Sequence, residues 1–257
     1  MKSIAFAVQK GGTGKTTTAV NVAHGLALKG KKTALIDCDP QGNATNNYFT
    51  ELPMNELADV LSGKVSPVEA FTEIRENLFM IPTFAIDGGL RLWGETQATK
   101  EPYIFDDLKG ELATLGFDYV IYDLSPAFGS LERAVMIGAD EVITPILPEP
   151  FSVDGVEIFA SELTKLRKQM RSKIGFNRVV VNNVNMSLGI HKENLEAIKA
   201  AVGDRMTVMV VPQDTSLKNA QGVNKSIYEY MRKGDKEAGQ SRSVEAYNSI
   251  VEVLLCQ

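Results

Sequence analysis

The stretch from Lys10 to Thr18 reads K-G-G-T-G-K-T-T-T, two lysines and three glycines ahead of a run of threonines. Gly14, Lys15 and Thr16 satisfy the end of the phosphate-loop pattern G-x-x-x-x-G-K-[ST], but its first glycine falls on Gln9, so the match is deviant. The loop follows the apolar run "SIAFAV" and precedes a helix starting near Lys15. In that context, successive backbone N–H groups can close on phosphate oxygens. Gly11, Gly12 and Gly14 allow close approach, the helix N-terminus adds partial positive charge, Lys15 reaches the β- and γ-phosphates, and the Thr16 hydroxyl suits Mg²⁺. A glycine turn that merely joins strand to helix does not explain the lysine and threonines at these places.

Two further stretches carry carboxylates at the ends of apolar runs. "ALIDCDPQGNAT" places Asp37 and Asp39 on one strand face, where the carboxyl edge of an open α/β sheet takes its ligand. "FDYVIYDLSP" ends in Asp123, where phosphate-loop enzymes keep the carboxylate that holds Mg²⁺ directly or through water. Each signal alone is weak, and a strand-ending Asp is by itself a turn or cap residue. Their order on successive strands makes the combination strong.

These residues need a scaffold, and short apolar runs supply one: "SIAFAV", "KTALID", "LFMIP", "DYVIYD", "EVITPIL", "RVVVNN" and "TVMVVP". They are too short for helices and continuously apolar, as parallel strands covered on both faces are. The alternation with helical stretches predicts a doubly wound, mostly parallel α/β sheet of about seven strands, with 1–257 as a single domain. Val156, Phe159, Leu163, Leu166 and Met170 form a helical stripe that leaves Lys165, Lys168 and Arg171 facing outward. A last helix, capped by Ser241, carries Val244, Tyr247, Val251 and Leu254 on one face.

With 257 residues and 44% hydrophobic residues a packed core is assured. No apolar run approaches membrane length and no signal-peptide core is present, and Cys38 and Cys256 lack metal or disulfide spacing, so the chain reads as cytoplasmic. The net charge of -5 restricts nucleic-acid binding to a local patch. His24 and His191 lack ligand-spaced partners and read as structural, Cys38 as a buried small side chain, and Trp93 as packing.

Together "QKGGTGKTT", "DCDPQGNAT", "YVIYDLSP", "PILPEPFSVDG" and "VPQDTSLKNAQ" resemble the ParA/MinD family of deviant Walker-type ATPases, over nearly the whole chain. "DPQGNAT" is ParA-like, and the lack of a segment before the first strand resembles the small ParA type without an N-terminal helix-turn-helix domain. The resemblance makes Lys10 the signature lysine, which reaches the partner's phosphates in an ATP-sandwich dimer. It assigns nucleotide contacts to Lys10, Gly11, Gly12, Thr13, Gly14, Lys15, Thr16 and Thr17, and the adenine to Asn183, Pro212 and Asp214. Asp39 would position the attacking water and, with Thr16 and Asp123, surround Mg²⁺, with Asp37 in support. Two departures stand out: Asp123-Leu124-Ser125-Pro126 replaces the family's D-C-P-P, and Val211-Pro212-Gln213-Asp214 replaces I-P-R-N, removing an arginine often implicated in DNA contact.

The resemblance implies a slow Mg²⁺-dependent ATPase that dimerises on ATP, binds double-stranded DNA nonspecifically, associates with the nucleoid, and positions a plasmid, chromosome or protein assembly. A ParB-like or other adaptor would stimulate its hydrolysis. Candidate DNA contacts are Lys165, Lys168 and Arg171, with Lys218, Lys225, Arg232 and Lys233 as a second group. The alternative is a MinD-like membrane-cycling ATPase, but "YNSIVEVLLCQ" offers no lysine or arginine to lipid, so a membrane is not expected as partner. A metabolic iron–sulfur reductase or ligase is disfavoured by the cysteine count and by "DPQGNAT".

Overall fold

The computed structural model describes residues 1–170, 172–230 and 239–256. Its strands are β1 (Lys2–Phe6), β2 (Thr33–Cys38), β3 (Thr72–Arg75), β4 (Leu78–Ile81), β5 (Tyr119–Leu124), β6 (Glu141–Ile146), β7 (Gly175–Val184) and β8 (Thr207–Pro212). The helices are α1 (Lys15–Leu28), α2 (Asn43–Asn46), α3 (Leu57–Leu61), α4 (Pro67–Ala70), α5 (Leu90–Thr96), α6 (Ile104–Thr114), α7 (Ser130–Gly138), α8 (Ser152–Met170), α9 (Gly189–Val202), α10 (Thr215–Gly222) and α11 (Arg242–Leu255). The strands form one eight-stranded sheet in the order β3-β4-β2-β5-β1-β6-β7-β8. All neighbours are parallel except β3 and β4.

Strand alternation divides the core into a layer on each face. Ile4, Phe6 and Ile121 point to the layer closed by α1 and α11, while Ala5, Val120 and Tyr122 point to the layer closed by α6, α7 and α8. Helix α1 is buried almost all round, and its Val22, Ala23 and Leu26 share a core with Tyr247, Val251 and Leu254 of α11. Ser241 caps α11 by accepting from the Val244 N–H, and Val156, Phe159, Leu163 and Leu166 are the buried stripe of α8.

The sheet has one strand more than the sequence pattern predicts. β3, "TEIR", is short, half-exposed and antiparallel at the sheet edge. Its charged residues alternate with apolar ones, so it carries no continuous apolar run of the kind that marks the parallel strands.

Helices α6 and α7 meet at Gly138, where a Cβ would come within 2.6 Å of the Phe105 carbonyl oxygen and the Asp106 nitrogen. Backbone cannot yield as a side chain can. Gly138→Ala is expected to destabilise the fold by about 1–3 kcal/mol, seen as a lower urea midpoint at unchanged slope; an unchanged midpoint would refute the close approach.

Candidate functional site

The site lies at the carboxyl edge of the central strands, where β1 ends and the chain turns into α1. Gly12 (φ 77) and Gly14 (φ 83) are left-handed, a conformation that a Cβ disfavours. Among the described residues, the backbone N–H groups of Lys10–Gly14 have no hydrogen-bond acceptor. They form a row of donors at a helix N-terminus, which suits an anion.

Lys15 and Asp123 are buried against each other, with Nζ 2.8 Å from Oδ1. Burial outweighs the ammonium and raises the Asp123 pKa above the usual carboxylate range. Its other oxygen, Oδ2, is buried without a partner, as is Oγ1 of Thr13 in the loop. An orphaned carboxylate oxygen and an orphaned hydroxyl beside a row of free N–H donors fit a polyphosphate with a divalent cation. Among the described residues no three His, Cys, Asp or Glu cluster as a metal cage, and Mg²⁺ bound mainly by phosphate and water needs none.

Asp37 sits beside Asp123 in the β2–β5 register. Its Oδ2 accepts from the Thr45 N–H and hydroxyl, both at 2.8 Å, and its Oδ1 accepts from the Asp39 N–H at 3.1 Å. Burial, then the neighbouring Asp123, push its carboxyl up to about 7. Asp37 thus folds the loop from Asp39 to Thr45. Asp39, also buried, accepts from the Gln41 N–H at 2.9 Å. Thr16 and Thr17 open α1, and Gln221 of α10 donates to the Thr17 hydroxyl.

Lys10 stands apart from this buried cluster. It is exposed on the rim, with Nζ 2.6 Å from Glu149 Oε2. Phe151 and Ile158, both exposed, line the same depression as Lys10. Phe151 is 82% exposed and has φ 69, a costly backbone for an aromatic residue.

A cavity of about 360 Å³ adjoins the loop and is lined by Gly12, Thr13, Gly14 and Thr17 together with Asn183, Pro212 and Asp214. The Asp214 carboxylate is already engaged: Oδ1 accepts from the Ser216 N–H at 2.9 Å and Oδ2 from the Ser243 N–H at 3.3 Å. It is the N-cap of α10 and also ties the first turn of α11, beside the Ser241 cap, to the cavity wall. Asn182, on the same wall, was not legible as a site residue; its signal is a polar pair ending an apolar strand.

The basic residues divide into two groups. Lys165 pairs with Glu162, and Lys168 is exposed beside it on α8. Lys218 and Lys225 are exposed at and after α10. Among the described residues α8 packs on one face of the sheet and α10 on the other, which separates Lys165 and Lys168 from Lys218 and Lys225. Arg171, Arg232 and Lys233 lie outside the described residues. Lys218 shares a second cavity, of about 380 Å³, with Arg242, a residue the sequence motifs do not flag.

His24 is buried, with Nδ1 2.7 Å from Ser226 Oγ and 3.7 Å from Glu229 Oε2. Both contacts use one ring nitrogen and Ser226 is fully buried, so the trio is no hydrolytic triad. His191 accepts from the Asn185 N–H, and Cys38 and Trp93 are core residues.

The AAA domain family matches residues 1–176. An uncharacterized protein of Borreliella burgdorferi is 35% identical over 232 residues, 90% of this chain and 92% of the relative. The chromosome-partitioning ATPase Soj of Treponema pallidum is 27% identical over 246 residues, 95% and 94% of the two chains. Among solved structures, an ATP complex of a Cyanothece McdA variant superposes with a TM-score of 0.82 at 23% identity over 99% of this chain and 96% of that one. A putative plasmid partition protein from Borrelia burgdorferi bound to AMPPNP gives a TM-score of 0.79 at 22% identity, over 99% and 98%. With the deviant loop, the strand-end carboxylates and these relatives in agreement, the chain belongs to the AAA-domain family of P-loop ATPases of the ParA/MinD type.

Proposed function

We propose that the chain is a Mg²⁺-dependent ATPase that closes as a dimer around ATP, binds double-stranded DNA without sequence preference in that state, and positions a plasmid, chromosome or protein assembly. A ParB-like or other adaptor stimulates its hydrolysis, and the protein is cytoplasmic, joining the nucleoid when ATP-bound. The observation that carries this reading is the unequal placement of the two loop lysines. Lys15 is buried against Asp123, whereas Lys10 stands on the rim with an exposed carboxylate. Such an exposed pair is worth about 0.2–1 kcal/mol, so a stronger anion takes Lys10 readily. Exposed Phe151 and Ile158 beside it supply apolar surface for a second copy.

In this reading the loop N–H groups and Lys15 bind the phosphates, and Lys15 leaves Asp123 as it does so. Magnesium, held through Thr16, Asp123 and Asp39, supplies charge neutralisation when bound. Asp37 fixes the loop that carries Asp39, which orients the water whose oxygen bonds to the γ-phosphorus as the bond to the β-phosphate oxygen breaks. No arginine among the described residues lines the cavity, which supports slow basal turnover and a need for the adaptor. Asn183 and Pro212 hold the adenine in the cavity beside the loop.

Several observations support DNA over lipid. Among the described residues no helix is long and apolar enough to cross a membrane. The apolar face of α11 is spent on the core through Tyr247, Ile250, Val251 and Leu254. Lys218 and Arg242 converge on one cavity with no carboxylate ion pair among the described residues, so they are freer for phosphate than Lys165.

Lys15→Ala is expected to abolish ATP binding in calorimetry with Mg²⁺. It also strands Asp123 as a buried charge, at a cost of about 3–5 kcal/mol. Lys15→Ala with Asp123→Asn should recover the melting temperature without recovering binding; ATP affinity like that of the wild type in either variant rejects the phosphate-loop role.

Lys10 and Asp39 should separate the cycle. Lys10→Ala should bind nucleotide but lose turnover, while Asp39→Ala should bind ATP and accumulate as dimer in light scattering. A folded Asp39→Ala that stays monomeric with ATP would mean that this carboxylate has another task.

The wild type should bind two unrelated duplexes equally, only with ATP, and lose them as salt rises. Lys218→Glu combined with Arg242→Glu should weaken this binding and flatten its salt dependence. ATP-dependent sedimentation on anionic liposomes with no DNA binding would instead favour the membrane-cycling alternative.

A further inference from the structure

β7 leaves its regular pairing with β8 between Val181 and Val184. Inside this bulge Asn183 adopts a left-handed backbone, φ 59. Residues 182 and 183 of a regular strand would point to opposite faces, yet both line the cavity beside the phosphate loop. Asn182 is only 6% exposed. Its Nδ2 donates to the Thr13 carbonyl at 2.8 Å and to Thr18 Oγ1 at 3.0 Å, which uses both amide hydrogens on the two sides of the turn. Thr18 Oγ1 in turn donates to the Gly14 carbonyl at 2.7 Å. The same Nδ2 would lie 2.8 Å from a Cβ at residue 14, so only glycine lets the turn press onto the amide.

We propose that Asn182 is the positioning residue of the phosphate loop. In a planar trans peptide the carbonyl and the following N–H point in opposite directions. By holding the Thr13 carbonyl toward β7, Asn182 aims the Gly14 N–H the other way, to the side where an anion is received. The bond to Thr18 ties this peptide to the first turn of α1, so loop and helix N-terminus present their donors as one unit. Asn182 keeps this post although its own Oδ1 is buried without a partner, which marks the two donors as the reason for a carboxamide there. A serine or threonine hydroxyl has one hydrogen and could hold only one of the two partners. The inference rests on the nucleotide-binding reading above.

The test compares Asn182→Leu, of similar size but without donors, with Thr18→Val, which keeps Asn182 and its bond to Thr13. Dissociation constants for Mg²⁺–ATP and Mg²⁺–ADP are measured by calorimetry, and melting temperatures alongside. Asn182→Leu should weaken both nucleotides by the same factor, about tenfold or more, because the misdirected N–H acts on phosphates common to both. Thr18→Val should weaken them by about threefold, and the double variant should match Asn182→Leu to within about twofold, since both act through one clamp. The melting temperature should not track these losses. A folded Asn182→Leu that binds ATP as the wild type does, or one that loses melting temperature while keeping affinity, overturns the proposal. Should Asn182→Leu fail to fold, unchanged affinity in Thr18→Val overturns it equally. Retention of ATP binding by Lys15→Ala would defeat the phosphate-loop reading itself, a result independent of either Asn182 outcome.

Discussion

A lysine and an aspartate buried against each other at the head of α1 set the terms for everything around them. Neither charge tolerates burial alone, so the pair must be satisfied in every state the protein occupies. The pair forms where β5 lies between β1 and β2, so that the end of β5 meets the head of the helix that follows β1. The neighbouring carboxylate, Asp37, spends its lone pairs on backbone and hydroxyl donors rather than facing Lys15. In the proposed cycle a ligand that draws Lys15 away leaves Asp123 in need of another positive charge, and its Oδ2 is buried without a partner.

Much of this arrangement is legible in the sequence because it rests on local chemistry. Continuous apolar runs mark the parallel strands, and glycines with positive φ mark the loop, since both patterns are forced by burial and sterics at each position. The edge strand β3 escapes because half-exposed antiparallel strands look like polar loop. The individual carboxylates are harder still. Asp214 reads as a ligand contact near a proline, and in the fold it lines the cavity while its carboxylate also accepts from the first turns of α10 and α11, contacts that no local pattern announces. Asp37 and Asp39 are equivalent by spacing, and only the fold of the loop after them separates the one that builds it from the one that hangs on it.

Asn182 illustrates the same limit from the other side. Its partners, Thr13 and Thr18, lie 169 and 164 residues away in sequence; strand alternation puts Asn182 on the face of Val180, toward the α1 layer, but nothing local names the partners it meets there. Basic residues fare similarly. Their count is plain from the sequence, but which of them share a surface depends on the face of the sheet that each helix covers, and α8 and α10 cover different faces.

The packing of α1 against α11 also has a consequence in time. The phosphate-loop helix α1 is synthesised well before α11, the helix that shares its core, so the apolar side bearing Val22, Ala23 and Leu26 lacks that cover until the later segment emerges. β7 and β8 likewise arrive after the strand they extend. Contacts of such long sequence separation form slowly and leave sheet edges open meanwhile. A fragment ending after β6 would carry the whole phosphate-binding motif and six of the eight strands, yet leave the β6 edge unpaired and α1 without α11.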